Sequence, residues 1–283
     1  MNRLVKLFLS AGLVGLLVSS GADAGGARRG TPRPDPAPRV TEYRTYCESW
    51  TTLSPPQPAE PDARPLVWVV DGAGDLKGCS NALNYANQLA GNTAEFAVFS
   101  WSHGYRKLIA DQTDWVHARA QGERLAAAIL ERKAREPGRR VVLVAHSAGC
   151  AVALVAGDRL PPDTLDRTIL LAPSVSTGYD LRPSLWAARE GVDVFCSRKD
   201  WVALGFVVRV VGTTDTGSGP AAGRLGFKPR GVAATDPVVS TKLRQHFWSA
   251  DQKWTGHTGG HHGMHSPAFV HAYLYPLIGA PVK

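Results

Sequence analysis

The sequence predicts an α/β domain with a mostly parallel central sheet and helices on both of its faces. Two observations carry this. Short runs that are apolar along their whole length alternate with stretches of helical spacing, the pattern of strands buried on both sides. The composition is also that of an ordinary globular chain: 283 residues, 44% hydrophobic and 20% charged. It excludes wholesale disorder, a coiled coil and a collagen-like rod. A single long apolar stretch, at the N-terminus, excludes a polytopic membrane protein.

The elements follow in order. Leu66 to Val70 is a compact β-branched run ending at Asp71-Gly72, and Phe96 to Ser100 is a second strand. Asp114 to Arg135 has helical spacing, with Val116, Leu125, Ile129 and Ala134, and stops at Pro137-Gly138. Val141 to Val144 is the third strand, followed by a helix from Ala148 to Leu160 that Pro161-Pro162 ends. Thr168 to Leu171 is the fourth strand, Leu181 to Arg189 a helix, and Val192 to Cys196 the fifth strand. Ser266 to Ile278 closes the chain as a helix, with Ser266 as its cap and Pro267 at its first position. Only 19 residues, 173–191, separate the fourth and fifth strands, too few for a cap domain. The Gly- and Pro-rich stretch 212–243 is expected to shape a substrate entrance.

Residues 1–24 read as a signal peptide. Arg3 and Lys6 form a positive start, Leu7 to Val18 a short apolar core, and Ala22-Asp23-Ala24 a small-residue cleavage pattern. Residues 25–39 form a Pro/Gly/Arg-rich linker that cannot bury apolar surface. Residues 40–283 are the folded domain. The net charge is +8, about half of it in the leader and linker. No basic stripe interleaved with aromatics remains, so nucleic acid is not an expected partner. The basic linker is the one segment suited to association with an anionic cell envelope. Export, to the periplasm or the medium, implies an oxidising compartment. Among the four cysteines, Cys47 and Cys79 are the candidate bridge. Cys150 and Cys196 fall on core elements, as a bridge or as buried thiols.

In a parallel sheet, ligands bind beyond the carboxyl ends of the strands. The third strand ends in Ala145-His146-Ser147-Ala148-Gly149 and runs straight into a helix, which matches the nucleophile elbow G-x-S-x-G with Ala in the first small position. Such a turn exposes the Ser147 hydroxyl and aims the Ala148 N–H at a developing oxyanion. An activated serine needs an acid and a base. Asp200, in Ser197-Arg198-Lys199-Asp200 just past the fifth strand, is the candidate acid; Asp180 and Asp193 are weaker rivals. The base lies in the loop 256–265, where His257, His261, His262 and His265 compete. His261, after two glycines, is preferred. The loop Asp71-Gly72-Ala73-Gly74 supplies the Ala73 N–H as second oxyanion donor. Gly72-x-Gly74-x-x-x-Gly78 loosely matches a dinucleotide fingerprint, but the next strand ends in Ser100-Trp101-Ser102-His103 without the acid that would hold a ribose. The histidine loop holds no carboxylate or cysteine, so no metal is expected, and no cofactor either. Trp101, Ser102 and His103 end a strand, where they line a pocket or pack the core.

The elbow, the SRKD segment and the GGH loop, in the chain order serine, acid, histidine, resemble the α/β-hydrolase superfamily over about residues 64–280. The strings WSHGYRKLIADQTD, VVGTTDTGSGPAAGRLGF and GGHHGMHSPAFV are also similar to exported bacterial members of unassigned substrate. The resemblance implies an α/β-hydrolase fold with a Ser147–His261–Asp200 triad. The expected activity is hydrolysis of a small-molecule or lipid-like carboxylic ester. An acyltransferase, a peptidase or a catalytically silent envelope-binding protein are the alternatives.

Overall fold

The computed structural model describes residues 64–200, 212–217 and 219–279, all within one unit, Pro58–Lys283. The proposed leader, the linker and Cys47 lie outside the described residues. Six strands form one sheet in the order β2-β1-β3-β4-β5-β6: β1 Leu66–Val70, β2 Glu95–Val98, β3 Val141–His146, β4 Arg167–Leu171, β5 Val192–Cys196 and β6 Leu243–Phe247. All five pairings are parallel. Helices α1 Gly78–Leu89, α2 Leu108–Thr113, α3 Trp115–Arg135, α4 Gly149–Arg159, α5 Arg182–Ala187 and α6 Pro237–Lys242 connect them. This sheet order, with a sharp β3-to-α4 turn, is the α/β-hydrolase fold. Between β4 and β5 lies α5 and no inserted domain.

Successive strand residues point to opposite faces, so the sheet sorts its apolar side chains into two cores. Val67, Val69, Val142, Val144, Ile169 and Leu171 face α1 and the C-terminal helix, against Leu83, Phe269, Leu274 and Tyr275. Leu66, Val70, Leu143, Ala145 and Leu170 face α3, α4 and α5, against Leu125, Ile129, Leu154 and Leu185. α3 starts where Asp114 accepts a hydrogen bond from the His117 N–H at 2.9 Å, and Arg132, Lys133 and Arg135 complement its C-terminal dipole. Among the described residues no helix is long and apolar enough to cross a membrane.

The structure departs from the sequence reading in several places. The second strand runs Glu95–Val98 rather than Phe96–Ser100, and β3 continues to His146. The helix after β4 is Arg182–Ala187, shorter than Leu181 to Arg189. The C-terminal helix is not continuous. It runs Pro267–Phe269, opens into a π turn at Val270–Leu274 and resumes at Tyr275–Ile278. Pro276 has no N–H to give the helical ladder, and a wider turn before it absorbs the loss. Ser266 stands at the cap position, but its hydroxyl donates to the Thr255 carbonyl instead. Among the described residues Cys79, Cys150 and Cys196 are free, buried thiols; the expected Cys47–Cys79 pairing falls partly outside those residues. Cys79 points into the core between α1 and the sheet.

The amino end of the sheet is held by charges. Asp193 on β5 accepts from Arg167 on β4 at 2.5 Å and from Arg244 on β6 at 2.8 and 2.9 Å, and pairs with His246 at 2.7 Å. Glu190 bonds Arg140 and Arg167. Burial alone would raise the Asp193 carboxyl, but hydrogen bonds from His246, Arg244 and Arg167 outweigh it and hold the group well below its usual range. The Arg140 hydrogen bond, joined by Arg167 and opposed by burial, holds Glu190 down to about 2. A carboxyl depressed in the folded state contributes stability that is present above its unfolded value, near 4, and is lost as pH falls below it. Urea midpoints should therefore be level above about pH 5 and fall between about pH 4 and pH 2. Asp193→Asn should lower the midpoint at neutral pH and flatten the acid limb. An unchanged acid limb in the variant would contradict this.

Candidate active site

β3 and α4 meet at Ser147, whose φ of +53° places it in the left-handed region. That conformation costs a non-glycine residue about 1–2 kcal/mol and is held by tertiary bonds on both sides. The Ser147 N–H donates to the Leu171 carbonyl at 2.9 Å, and its carbonyl accepts from Ser174 at 3.1 Å. Gly149 is required by close approach: a Cβ there would lie 2.3 Å from the Asp71 carbonyl oxygen and 2.9 Å from that of Val70. Ala145 tolerates its methyl, fully buried within β3.

The sequence-selected serine, histidine and aspartate are brought together. His261 Nε2 is 2.8 Å from Ser147 Oγ, and His261 Nδ1 is 2.5 Å from Asp200 Oδ2. With Nδ1–H donating to the carboxylate, Nε2 is left as the acceptor for the serine hydroxyl. Asp200 is 3% exposed. Its loop is tied to the histidine loop, because Ser197 Oγ donates to the Gly259 carbonyl at 2.6 Å. The rival carboxylates lie elsewhere. Asp180 is exposed and bonds Arg182, while Asp193 belongs to the charged amino end of the sheet.

The other histidines are placed differently. His257 is buried, with its ring against Phe269 and Trp248, and its Nδ1 accepts from the Gly259 N–H at 3.2 Å. Burial pushes it down to about 4, so it is a neutral packing group. His262 and His265 do not bond Ser147. They gather with His146 beside the elbow, with ring centroids 5.6 and 4.4 Å from that of His146. Burial first, then the neighbouring rings, holds His146 well below its ordinary value and His265 down to about 3. The sequence reading weighed the loop histidines as rivals for one role and left out His146, although it stands beside Ser147.

The two proposed oxyanion donors flank the serine. Ala148 is the N-cap of α4, where the first N–H groups have no partner within the helix. The loop carrying Ala73 lies against the elbow, since a Cβ on Gly72 would fall 3.2 Å from the Ser147 Cβ. Two side chains that the sequence reading did not select fix that loop. Asp71 Oδ1 accepts the N–H groups of Cys79 and Ser80 at 2.9 and 3.0 Å. Asp111, fully buried on α2, accepts from the Gly74 N–H at 2.6 Å, Ser102 Oγ at 2.5 Å and the His103 N–H at 2.8 Å, and pairs with His103 Nδ1 at 2.9 Å. Trp101 is also a brace, 3% exposed and donating to the Asp71 carbonyl at 2.7 Å. Next along α2, Gln112 bonds Ser174 Oγ at 2.8 Å and the Gly212 carbonyl at 3.1 Å. The segment after Gly212 then runs along the loop following β4, with Thr214 bonded to Ser174 and Ala222 to Val175.

No family model and no curated protein matches the chain. Solved structures resemble it distantly. An uncharacterised Bacillus cereus protein is 13% identical, with a TM-score of 0.41, over 74% of this chain and 59% of that one. A predicted CIB-like hydrolase from Thermoplasma acidophilum is 16% identical, with a TM-score of 0.40, over 78% and 89%. A cutinase-like protein from a Cryptococcus species is 12% identical, with a TM-score of 0.42, over 78% and 99%. The chain thus spans 59% of the length of the Bacillus protein. The assignment of the fold stands on the sheet order and the elbow, not on these likenesses.

Asp111→Ala should release four donors into a buried site. We expect a loss of stability on the order of 3 kcal/mol, read as the urea midpoint times the slope. A variant within about 0.5 kcal/mol of the parent would show that the loop does not depend on this carboxylate.

Proposed function

We propose that the chain is a serine hydrolase of carboxylic esters. The observation that carries this reading is the series Asp200–His261–Ser147, joined by hydrogen bonds at 2.5 and 2.8 Å with the serine in a left-handed elbow. Ser147 Oγ attacks the acyl carbonyl as His261 Nε2 takes its proton. The alkoxide leaves with that proton, returned by His261, and an acyl-serine remains. Water then enters by the same route, with His261 again the base, and releases the acid. Asp200 holds the imidazole in the required tautomer and offsets its positive charge. The N–H groups of Ala73 and Ala148 receive the oxyanion in each half-reaction. A serine, rather than an aspartate, at the elbow favours acyl chemistry over dehalogenation or epoxide opening. The 212–226 segment, laid beside the loop whose Ser174 N–H bonds Ser147, forms one wall of the approach.

Chromogenic esters of increasing chain length test this directly. Ser147→Ala and His261→Ala should each lose more than about a thousandfold in kcat on any ester that the parent cleaves. Asp200→Asn should lose on the order of ten-thousandfold. Asp180→Asn should keep the parental rate. A Ser147→Ala variant with undiminished activity would show that the nucleophile is another residue.

A further inference from the structure

The face of the sheet beneath the elbow ends in imidazoles that the ester chemistry does not use. His146, His262 and His265 each offer a ring nitrogen, and these nitrogens lie within 4.8 Å of one another. His261 is not part of the group, since both of its nitrogens are engaged by Asp200 and Ser147. A second observation points to a ligand. His265 Nε2 is buried without a hydrogen-bond partner. Its other nitrogen faces Gly78, where a Cβ would lie 3.0 Å away. Asp71 follows Val70, which pairs with Ala145, so it sits beside His146 on the same face of the sheet. Its Oδ2 is also buried and unpaired, a carboxylate oxygen near the site without being one of its ligands.

We propose that His146, His262 and His265 bind one divalent first-row transition ion, which ties the histidine loop to the end of β3. Three imidazoles and no carboxylate suit zinc, copper or nickel, and do not suit magnesium or calcium, which require oxygen ligands. Zinc sits about 2.0–2.1 Å from imidazole nitrogen. In a tetrahedral site the nitrogens are then roughly 3.3 Å apart, so the cluster must close by on the order of an ångström. His262 can supply that movement. It is exposed, between Gly260 and Gly263 on the surface loop, and its exposure also gives the ion a path in. His146 and His265 are the anchored members, on the strand end and against α1. A fourth position stays open to water.

Binding can be measured without reference to ester hydrolysis. The full chain, stripped with EDTA, is titrated with zinc chloride by calorimetry, and its Tm is followed with and without zinc. One zinc per chain should bind at micromolar or tighter affinity, and saturating zinc should raise the Tm by several degrees. Magnesium chloride should do neither. His262→Gln and His265→Gln should each weaken zinc binding by more than about tenfold, since even losing an outer-shell partner costs 10–100-fold. His271→Gln, elsewhere on the surface, should bind zinc as the parent does. His262→Gln changes an exposed loop residue and keeps the fold, so its affinity is interpretable even if His265→Gln is unstable. Absence of zinc binding in the parent, unaltered affinity in His262→Gln, or an equal loss in His271→Gln would overturn the proposal. A chain that binds zinc and cleaves no ester would leave this site standing and remove the hydrolase reading; the reverse result would remove this site alone.

Discussion

The close approach of α4 to the end of β1 is the constraint on which the site depends. It is possible because position 149 has no side chain: a Cβ there would strike the carbonyls of Asp71 and Val70. That proximity forces the chain to reverse within one residue, and Ser147 takes up the left-handed conformation as a result. The local strain is offset by bonds that only the folded sheet provides, from the Ser147 N–H to Leu171 on β4 and from Ser174 to the Ser147 carbonyl. The nucleophile is thus positioned by backbone on three neighbouring strands.

Around this turn the loops are set by buried polar groups as well as by apolar packing. Asp111 and Asp71 fix the loop that carries Ala73, Gln112 joins the elbow's neighbour Ser174 to Gly212, and Ser197 ties the acid loop to the histidine loop. Apolar side chains such as Met264, Trp101 and Val175 anchor these loops in the two cores. Specific hydrogen bonds give the loops one geometry, and buried networks of this kind lose most when a single member is removed. The histidine loop divides its work on the same basis. His257 packs, His261 faces Ser147, and His262 and His265 turn toward His146.

Much of this was legible in the sequence. β1 and β3 read as continuous apolar runs, and β4 and β5 are apolar but for Arg167, Thr168 and Asp193, the pattern of a sheet covered on both faces. Ala145 to Gly149 announced its turn because strand, small residues and helix follow without a break. β6 was missed because Leu243–Phe247, LRQHF, is a half-buried edge strand with polar residues, which leaves no apolar run to see. α1 and α2 were missed as well. α2 is only six residues long, and its importance lies in one buried carboxylate whose partners come from two distant loops. The grouping of His146 with His262 and His265 was equally hidden, since more than a hundred residues separate them and only the fold makes them neighbours.

The central claim is that Ser147 is an activated nucleophile, and covalent labelling with a fluorophosphonate probe tests it most directly. The account predicts one phosphonyl group per chain, mapped by peptide mass to Ser147, formed rapidly in the parent and only very slowly in His261→Ala. No adduct, an adduct on a different serine, or equally fast labelling of His261→Ala would contradict it.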